Sequence, residues 1–237
     1  KTLRNELARC LENPGRFIGD IFTSGQHLLS LINDILDLSK VEAGMMALEL
    51  EPVELEGLLS NSLLIVREKA ALQRIQLKLV VDDPLGVIDL DLRKTKQIVY
   101  NLLANAVKFS QPGGAVVLGV SQVERDKVGV VQGDWPVYGF ALPDNAYQQF
   151  LELSVSDEGI GIAQESMSKL FKAFSQIDSS LARKFEGTGL GLAMVKQLVE
   201  LHGGCVALAS LEGAGARFVA WLPLRRSAAA EAPWLKS

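Results

Sequence analysis

Cysteine is scarce in this chain of 237 residues: only Cys10 and Cys205 occur, far apart and outside any ligand-like spacing. That excludes a disulfide framework or a cysteine zinc site and fits two inert thiols in a reduced compartment. Long apolar runs are also missing, and none approaches the roughly 20 residues that cross a bilayer. No leader pattern is present and the chain opens on Lys1 rather than Met, so we expect a piece of a longer protein. Excess positive charge is absent as well: 24 Lys and Arg stand against 28 Asp and Glu, a net charge of −4. Without a basic stripe, neither nucleic acid nor anionic lipid is an expected partner. We expect this segment to be cytoplasmic and to make no membrane contact, whether or not the parent protein is anchored. What the chain does have is apolar residues, 48% of the total, enough to build a buried core.

Two patterns divide the sequence. Residues 16–43 lack proline and carry apolar side chains at helical spacing. Ile18, Gly25 and Ile32 are seven apart, as are Ile21, Leu28 and Ile35, and Phe22, Leu29 and Leu36. Three adjacent heptad columns make a stripe too wide for a two-stranded seam and suited to a four-helix bundle. Leu3, Leu7 and Leu11 form a shorter stripe, and Asn13-Pro14-Gly15 between the two is a turn signal.

From about Met46 the pattern is mixed α and β. Met46–Leu50 alternates and predicts a strand closed by Pro52; Glu54–Gln73 has helical period; Ile75–Val81 and Leu85–Leu90 predict strands. Asp91 precedes a helical run to Phe109, ended by Gln111-Pro112-Gly113-Gly114. Ala115–Val123 and Phe150–Ser156 predict strands, with 124–149 between them as a hairpin extension or surface loop. A helix from about Gly189 to Leu201 and strands over Cys205–Ser210 and Arg217–Leu222 complete the series.

Three clusters carry candidate chemistry. Asn101, Asn105 and Lys108 lie at i, i+4 and i+7, so they share one helix face. A carboxamide oxygen there suits Mg²⁺, which takes few protein ligands, and an ammonium one turn on can neutralise phosphate; a solvated face is the plain alternative. Asp157-Glu-Gly159-Ile-Gly161 follows a strand, where a carboxylate can accept from an exocyclic amine such as adenine's; a simple turn would also explain these glycines. Gly187-Thr188-Gly189-Leu190-Gly191 leads into a helix, whose N-terminal N–H groups favour phosphate. No Gly-Lys-Ser/Thr follows, so this is not a P-loop.

In order, NLLANAVKFS, DEGIGI, LFKAFSQ, EGTGLGLA, LHGG and GAGARF closely resemble the N, G1, F, G2 and G3 boxes of histidine kinases. Those belong to the GHKL superfamily, with DNA gyrase B, the MutL mismatch-repair proteins and the heat-shock chaperone ATPases. Upstream, SGQHLLSLINDILDLSKVEAG resembles the second helix of the family's dimerisation domain, so the resemblance spans roughly residues 16–224. It implies an α/β two-layer sandwich of the Bergerat type, with a mixed sheet on one side and three helices on the other. A partial helical hairpin of a dimeric four-helix bundle would precede it. Residues 1–45 would be the dimerisation helices, 46–224 the ATP-binding catalytic domain and 225–237 a tail.

The implied roles follow the boxes. Asn105 would ligate Mg²⁺, Lys108 would contact phosphate, and Asn101 would be a polar group near the γ-phosphate. Asp157 would bind the adenine amine, with Gly159 and Gly161 allowing close approach and Phe109 packing near the nucleotide. Phe171 and Phe174 would anchor a lid from about Lys172 to Gly187, ordered by nucleotide, from which Arg183 or Lys184 would reach the γ-phosphate. Gly187, Thr188, Gly189, Leu190 and Gly191 would line the triphosphate. The implied cofactors are ATP and Mg²⁺. The implied partners are ATP or ADP, a second copy through 1–45, and a response-regulator receiver domain. The implied activity is transfer of the ATP γ-phosphoryl to a histidine and thence to a regulator aspartate.

Departures matter too. The family's acceptor histidine is followed by an acidic residue and an Arg-x-Pro run, and no such stretch occurs here. His27 is followed by Leu28-Leu29-Ser30 and is expected on a bundle surface, so autophosphorylation of this segment is not expected. His202 is expected as a favourable charge or cap at a helix end. Ala216 stands where the third glycine box often has Thr, and 124–149 is longer than the usual connection. Two other readings compete: a nucleotide-binding regulatory module without kinase activity, and a gyrase- or chaperone-like ATPase. The latter would need a glutamate base where Asn101 stands.

Overall fold

The computed structural model describes residues 14–82, 85–175 and 188–227, apart from several side chains in the first helix. Helix α1 spans Pro14–Glu42. Pro14 and Gly15 lie in its first turn, where a missing N–H costs nothing, so they begin the helix rather than form the expected turn. The shorter Leu3, Leu7, Leu11 stripe and the His27 side chain lie outside what is described. The helix ends at Gly44, whose left-handed φ of 65° lets the Met45 N–H reach the Lys40 carbonyl at 2.9 Å. Its two sides differ: Leu31, Leu38 and Val41 pack against the core of the following residues, while Ile18, Ile21, Phe22, Leu28 and Leu29 are exposed.

Strand β1 (Glu51–Glu54) comes later than the alternation at Met46–Leu50 suggests, and Pro52 lies inside it. Among the described residues it pairs only with β3 (Val87–Leu90), so Pro52, opposite Asp89, has an open side on which a missing N–H is tolerated. Glu54 caps α2 (Leu55–Leu72), accepting from the Glu56 N–H at 3.0 Å and the Gly57 N–H at 2.6 Å. Asp91, buried, caps α3 (Leu92–Phe109): its Oδ1 accepts from the Lys94 N–H at 3.0 Å. Its Oδ2 accepts from Lys94 Nζ at 2.6 Å and from the Glu49 N–H at 2.9 Å, so one carboxylate holds both the stretch after α1 and the start of α3.

Among the described residues the main sheet has six strands, in the spatial order Gln76–Val81 (β2), Ala115–Glu124 (β4), Gln149–Asp157 (β6), Gly215–Pro223 (β8), Cys205–Leu211 (β7) and Val137–Gly139 (β5). Strands β2 and β4 are parallel; β6, β7 and β8 pair antiparallel. This is the mixed sheet expected. Alternation decides which residues meet the helices: Leu151, Leu153 and Val155 of β6 face α2, α3 and α5 (Gly191–Leu201) in one core. A four-residue helix, α4 (Gln164–Met167), adds Met167 to it. Burial raises the Cys205 thiol to about 11, in keeping with an inert thiol.

Residues 124–149 depart from a plain surface loop. β4 and β6 pair to their ends, Glu124 opposite Gln149, so the stretch does extend a hairpin. It then crosses the sheet's other face and adds β5 (Val137–Gly139) beyond β7 at the far edge. On the way Val128, Val131 and Leu142 pack over Phe150, Cys205, Val219 and Trp221, a second apolar cluster. Of the two roles expected for His202, charge or cap, the structure shows the cap: Nδ1 donates to the Leu198 carbonyl at 2.7 Å, while burial pushes its pKa down and so disfavours the charged form.

Candidate functional site

Asp157 ends β6, almost fully buried at 7% exposure. Its Oδ1 accepts from the Gly159 N–H at 2.9 Å. Burial pushes its carboxyl up to about 6, although the backbone N–H groups of Gly159 and Ala216 favour the charged form. Beyond it the chain folds tightly against its neighbours. A side chain at Gly159 would collide with the Phe109 carbonyl and Asp157, and one at Gly161, at φ +64°, with the Leu211 carbonyl. Only glycine fits either place. Ser210, which sequence reasoning missed, holds this loop: its Oγ accepts from the Ile162 N–H at 2.9 Å and donates to the Gly215 carbonyl at 2.6 Å. One serine inside an apolar strand gives no periodic signal that could have marked it.

The same loop meets the end of α3. Ser110 and Gly159 form an isolated bridge, and the Ile160 N–H donates to the Phe109 carbonyl at 3.3 Å. Along α3, Asn105 and Lys108 line a groove of about 320 Å³ shared with Lys69 and Tyr100. Lys108 Nζ lies 4.8 Å from the centre of the Phe109 ring, and burial lowers its pKa from the usual lysine range. Among the described residues the Asn105 carboxamide has no hydrogen-bond partner, which leaves its oxygen able to accept a ligand.

Asn101 faces another element. A side chain built on Gly191 would come 3.7 Å from its Oδ1, so the carboxamide sits at the N-terminus of α5. Thr188 Oγ1 accepts from the Leu190 N–H at 3.2 Å, and Leu190 itself is buried. Gly189 rests against Phe174 and Ser175, so the chain departs at Ser175 beside where it returns at Thr188. Phe171 is buried, while Phe174, at φ 59°, is exposed. Arg183, Lys184, Gly187 and the rest of the expected lid from residue 176 onward lie outside the described residues. The three sequence clusters thus converge through α3: its C-terminal end joins the Asp157 loop, and Asn101 joins the start of α5.

Comparison with known proteins agrees with this arrangement. Residues 90–226 match the family described as histidine kinase-, DNA gyrase B- and HSP90-like ATPase. The circadian input-output histidine kinase CikA of Synechococcus elongatus is 42% identical over 223 residues, covering 93% of this chain and 26% of its own. The non-motile and phage-resistance protein of Caulobacter vibrioides is 40% identical over 209 residues, covering 88% and 22%. The crystal structure of full-length ShkA in complex with AMPPNP superposes with a TM-score of 0.71 at 31% identity, over 90% of this chain and 39% of that one. The chain thus spans about a quarter of the curated relatives it matches. Ordered boxes, mixed sheet and relatives all agree: the chain belongs to the histidine kinase-, DNA gyrase B- and HSP90-like ATPase family, in its histidine kinase branch.

Proposed function

We propose that this chain binds ATP with Mg²⁺ and delivers the γ-phosphoryl to a histidine, from which it passes to an aspartate of a response-regulator receiver domain. The observation that carries the reading is the convergence of Asp157, the polar face of α3 and the N-terminus of α5 along the C-terminal half of α3. The Asp157 carboxylate, held by the Gly159 N–H and favoured in its charged form by the Ala216 N–H, would also accept from an exocyclic amine, which selects adenine. The α5 N-terminus supplies N–H groups to phosphate, and Lys108 supplies positive charge. The free carboxamide oxygen of Asn105 fits Mg²⁺, which needs few protein ligands and, when bound, neutralises charge on the transferring phosphoryl group. Asn101, at the start of α5, would orient the terminal phosphate end. Arg183, Lys184 and Gly187 would complete the phosphate contacts, with Phe171 and Phe174 flanking them.

Asn101 stands where a hydrolytic family member would need a glutamate base, which favours transfer over hydrolysis. The exposed apolar side of α1 (Ile18 67% exposed, Phe22 64%) would pair with a second copy in a four-helix bundle within residues 1–45. Residues 46–224 would be the catalytic domain. We propose that the segment is cytoplasmic; among the described residues no helix is long and apolar enough to cross a membrane. His27 would not be the acceptor, so phosphate would go to a histidine supplied by other sequence.

Calorimetry tests the assignment. The chain should bind ATP more tightly with Mg²⁺ than without, and Asn105→Ala should remove that Mg²⁺-dependent gain of roughly tenfold or more while the circular dichroism stays unchanged. Equal Mg²⁺ dependence in both proteins would sink the role of Asn105.

A further inference from the structure

The strap between β4 and β6 meets the candidate site at its margin, at Phe171 and at helix α5, the two elements that frame the phosphate end. At β5 and just beyond, Tyr138 and Phe140 point to the helical side of the sheet, where they join Phe171 and Phe218. Tyr138 stacks on Phe171 with ring centres 6.4 Å apart, and Phe140 meets Phe171 edge-on at 5.3 Å. Tyr138 and Phe140 themselves pack edge-on at 5.5 Å. Such offset and edge-to-face pairs are directional as well as apolar, so they fix a ring's placement more narrowly than burial alone.

The strap grips α5 at the same time. Lys196, on the helix, holds its Nζ 4.9 Å from the centre of the Phe140 ring while pairing with Glu200 at 2.8 Å. Past the helix end, Asn145 Nδ2 donates to the Gly203 carbonyl at 2.9 Å, and Asn145 Oδ1 accepts from Arg125 at 2.8 Å. Arg225 links the strap's Tyr147 hydroxyl, at 3.0 Å, to the His202 carbonyl, at 3.1 Å. The strap is thus fastened to the side and the C-terminal end of the helix whose N-terminus faces Asn101.

Phe171 and α5 meet again at the site. Four residues after Phe171, Ser175 lies against Gly189, two residues before α5 begins. We infer that the strap is a positioning element for nucleotide binding: Tyr138 and Phe140 hold Phe171 and Lys196 together and so set the spacing of Ser175, Gly189 and Gly191. The inference rests on the nucleotide reading of that site. Val128, Val131 and Leu142 pack elsewhere, over the sheet's far face, away from Phe171 and Lys196.

Those two contact sets allow a decisive comparison in the 237-residue chain, with Mg²⁺-ATP affinity read by calorimetry and stability by thermal melting. Phe140→Ala should weaken ATP binding about fivefold, the worth of one or two lost ring contacts. Phe140→Tyr should restore it to within about twofold, since the ring is kept. Leu142→Ala should lower the melting temperature comparably and leave ATP affinity unchanged. Should Phe140→Ala prove insoluble, Phe140→Leu keeps apolar volume without the ring and should weaken binding in the same direction. Unchanged affinity in the Phe140 variants overturns the inference, as does equal weakening by Leu142→Ala, which would reduce the strap to general stability. If the unsubstituted chain failed to bind ATP at all, the nucleotide reading itself would fall, a result distinct from either.

Discussion

Helices α1 and α5 carry equally clear apolar periodicity, yet they end in opposite situations. Helix α5 buries Ala193, Met194, Val195, Leu198 and Val199 against α3 and the sheet. Helix α1 buries Leu38 and half-buries Leu31 and Val41 on the same core, but leaves eight large apolar residues exposed between Ile18 and Leu36. The difference is one of partners: a periodic stripe says that a face exists and does not say what covers it. For α5 the cover is within the described residues; for α1 it is not among them, and our proposal is a second copy.

Truncating each face is the strongest way to break that contrast. Leu198→Ala should cost about 2–5 kcal/mol of unfolding free energy, the usual range for a fully buried leucine. Leu29→Ala should change the stability of dilute, dissociated protein by no more than about 0.5 kcal/mol, as at other exposed positions. Chemical denaturation of both variants measures the gap, and equal losses would mean that α1 is covered within one chain. Introducing charge sharpens the same contrast through association. Ile21→Asp combined with Leu28→Asp should convert a dimer to a monomer in sedimentation experiments, while ATP affinity stays within about twofold, because no described α1 side chain lies in the candidate site.

The smallest expected effect is on pH. With its carboxyl at about 6, Asp157 is mostly ionised at neutral pH and mostly protonated at pH 5. A carboxylate is needed to accept from adenine, so ATP affinity should fall about tenfold from pH 7 to pH 5. Stability moves the other way for this group. The folded state binds its proton at higher pH than the unfolded chain does, near 3.9, so Asp157 alone favours the fold increasingly as pH drops from 6 towards 4. Association through α1 should show neither trend, and Asp157→Asn should flatten the affinity profile. A profile unchanged by that substitution would locate the titration elsewhere.

Much of this architecture was legible because local and global requirements agree. Asp91 before α3 is both a capping residue and the start of an apolar period, and the helix begins there. The glycines of the Asp157 loop were legible because the backbone approach excludes any other residue. What escaped were features decided by distant partners. Pro52 looked like a strand terminator, but β1 has an open side that accommodates it. The stretch 124–149 reads as a hairpin extension or surface loop, and its further strand escaped because Tyr138 and Phe140 are too few to show a period and β5 is a strand only because β7 offers an edge. For His202, readable as a charge or as a cap, burial disfavours the charge and leaves the cap. Ser210 acts through Gly215 and Ile162, residues that the fold alone brings beside it.

The carboxylate of Asp91 serves two segments at once, and that sharing has a thermodynamic side. Its Oδ1 starts α3, the helix carrying Asn101, Asn105 and Lys108, while its Oδ2 holds the Glu49 N–H seven residues beyond the end of α1. A bond that requires both segments to be in register makes the placement of each depend on the other. Linkage is reciprocal: whatever free energy a displacement of the α1 exit costs α3, an equal amount is returned when α3 is held in place. A ligand that steadies α3 therefore also steadies the exit from α1, and a tug on α1 is felt at the head of the helix that carries the site.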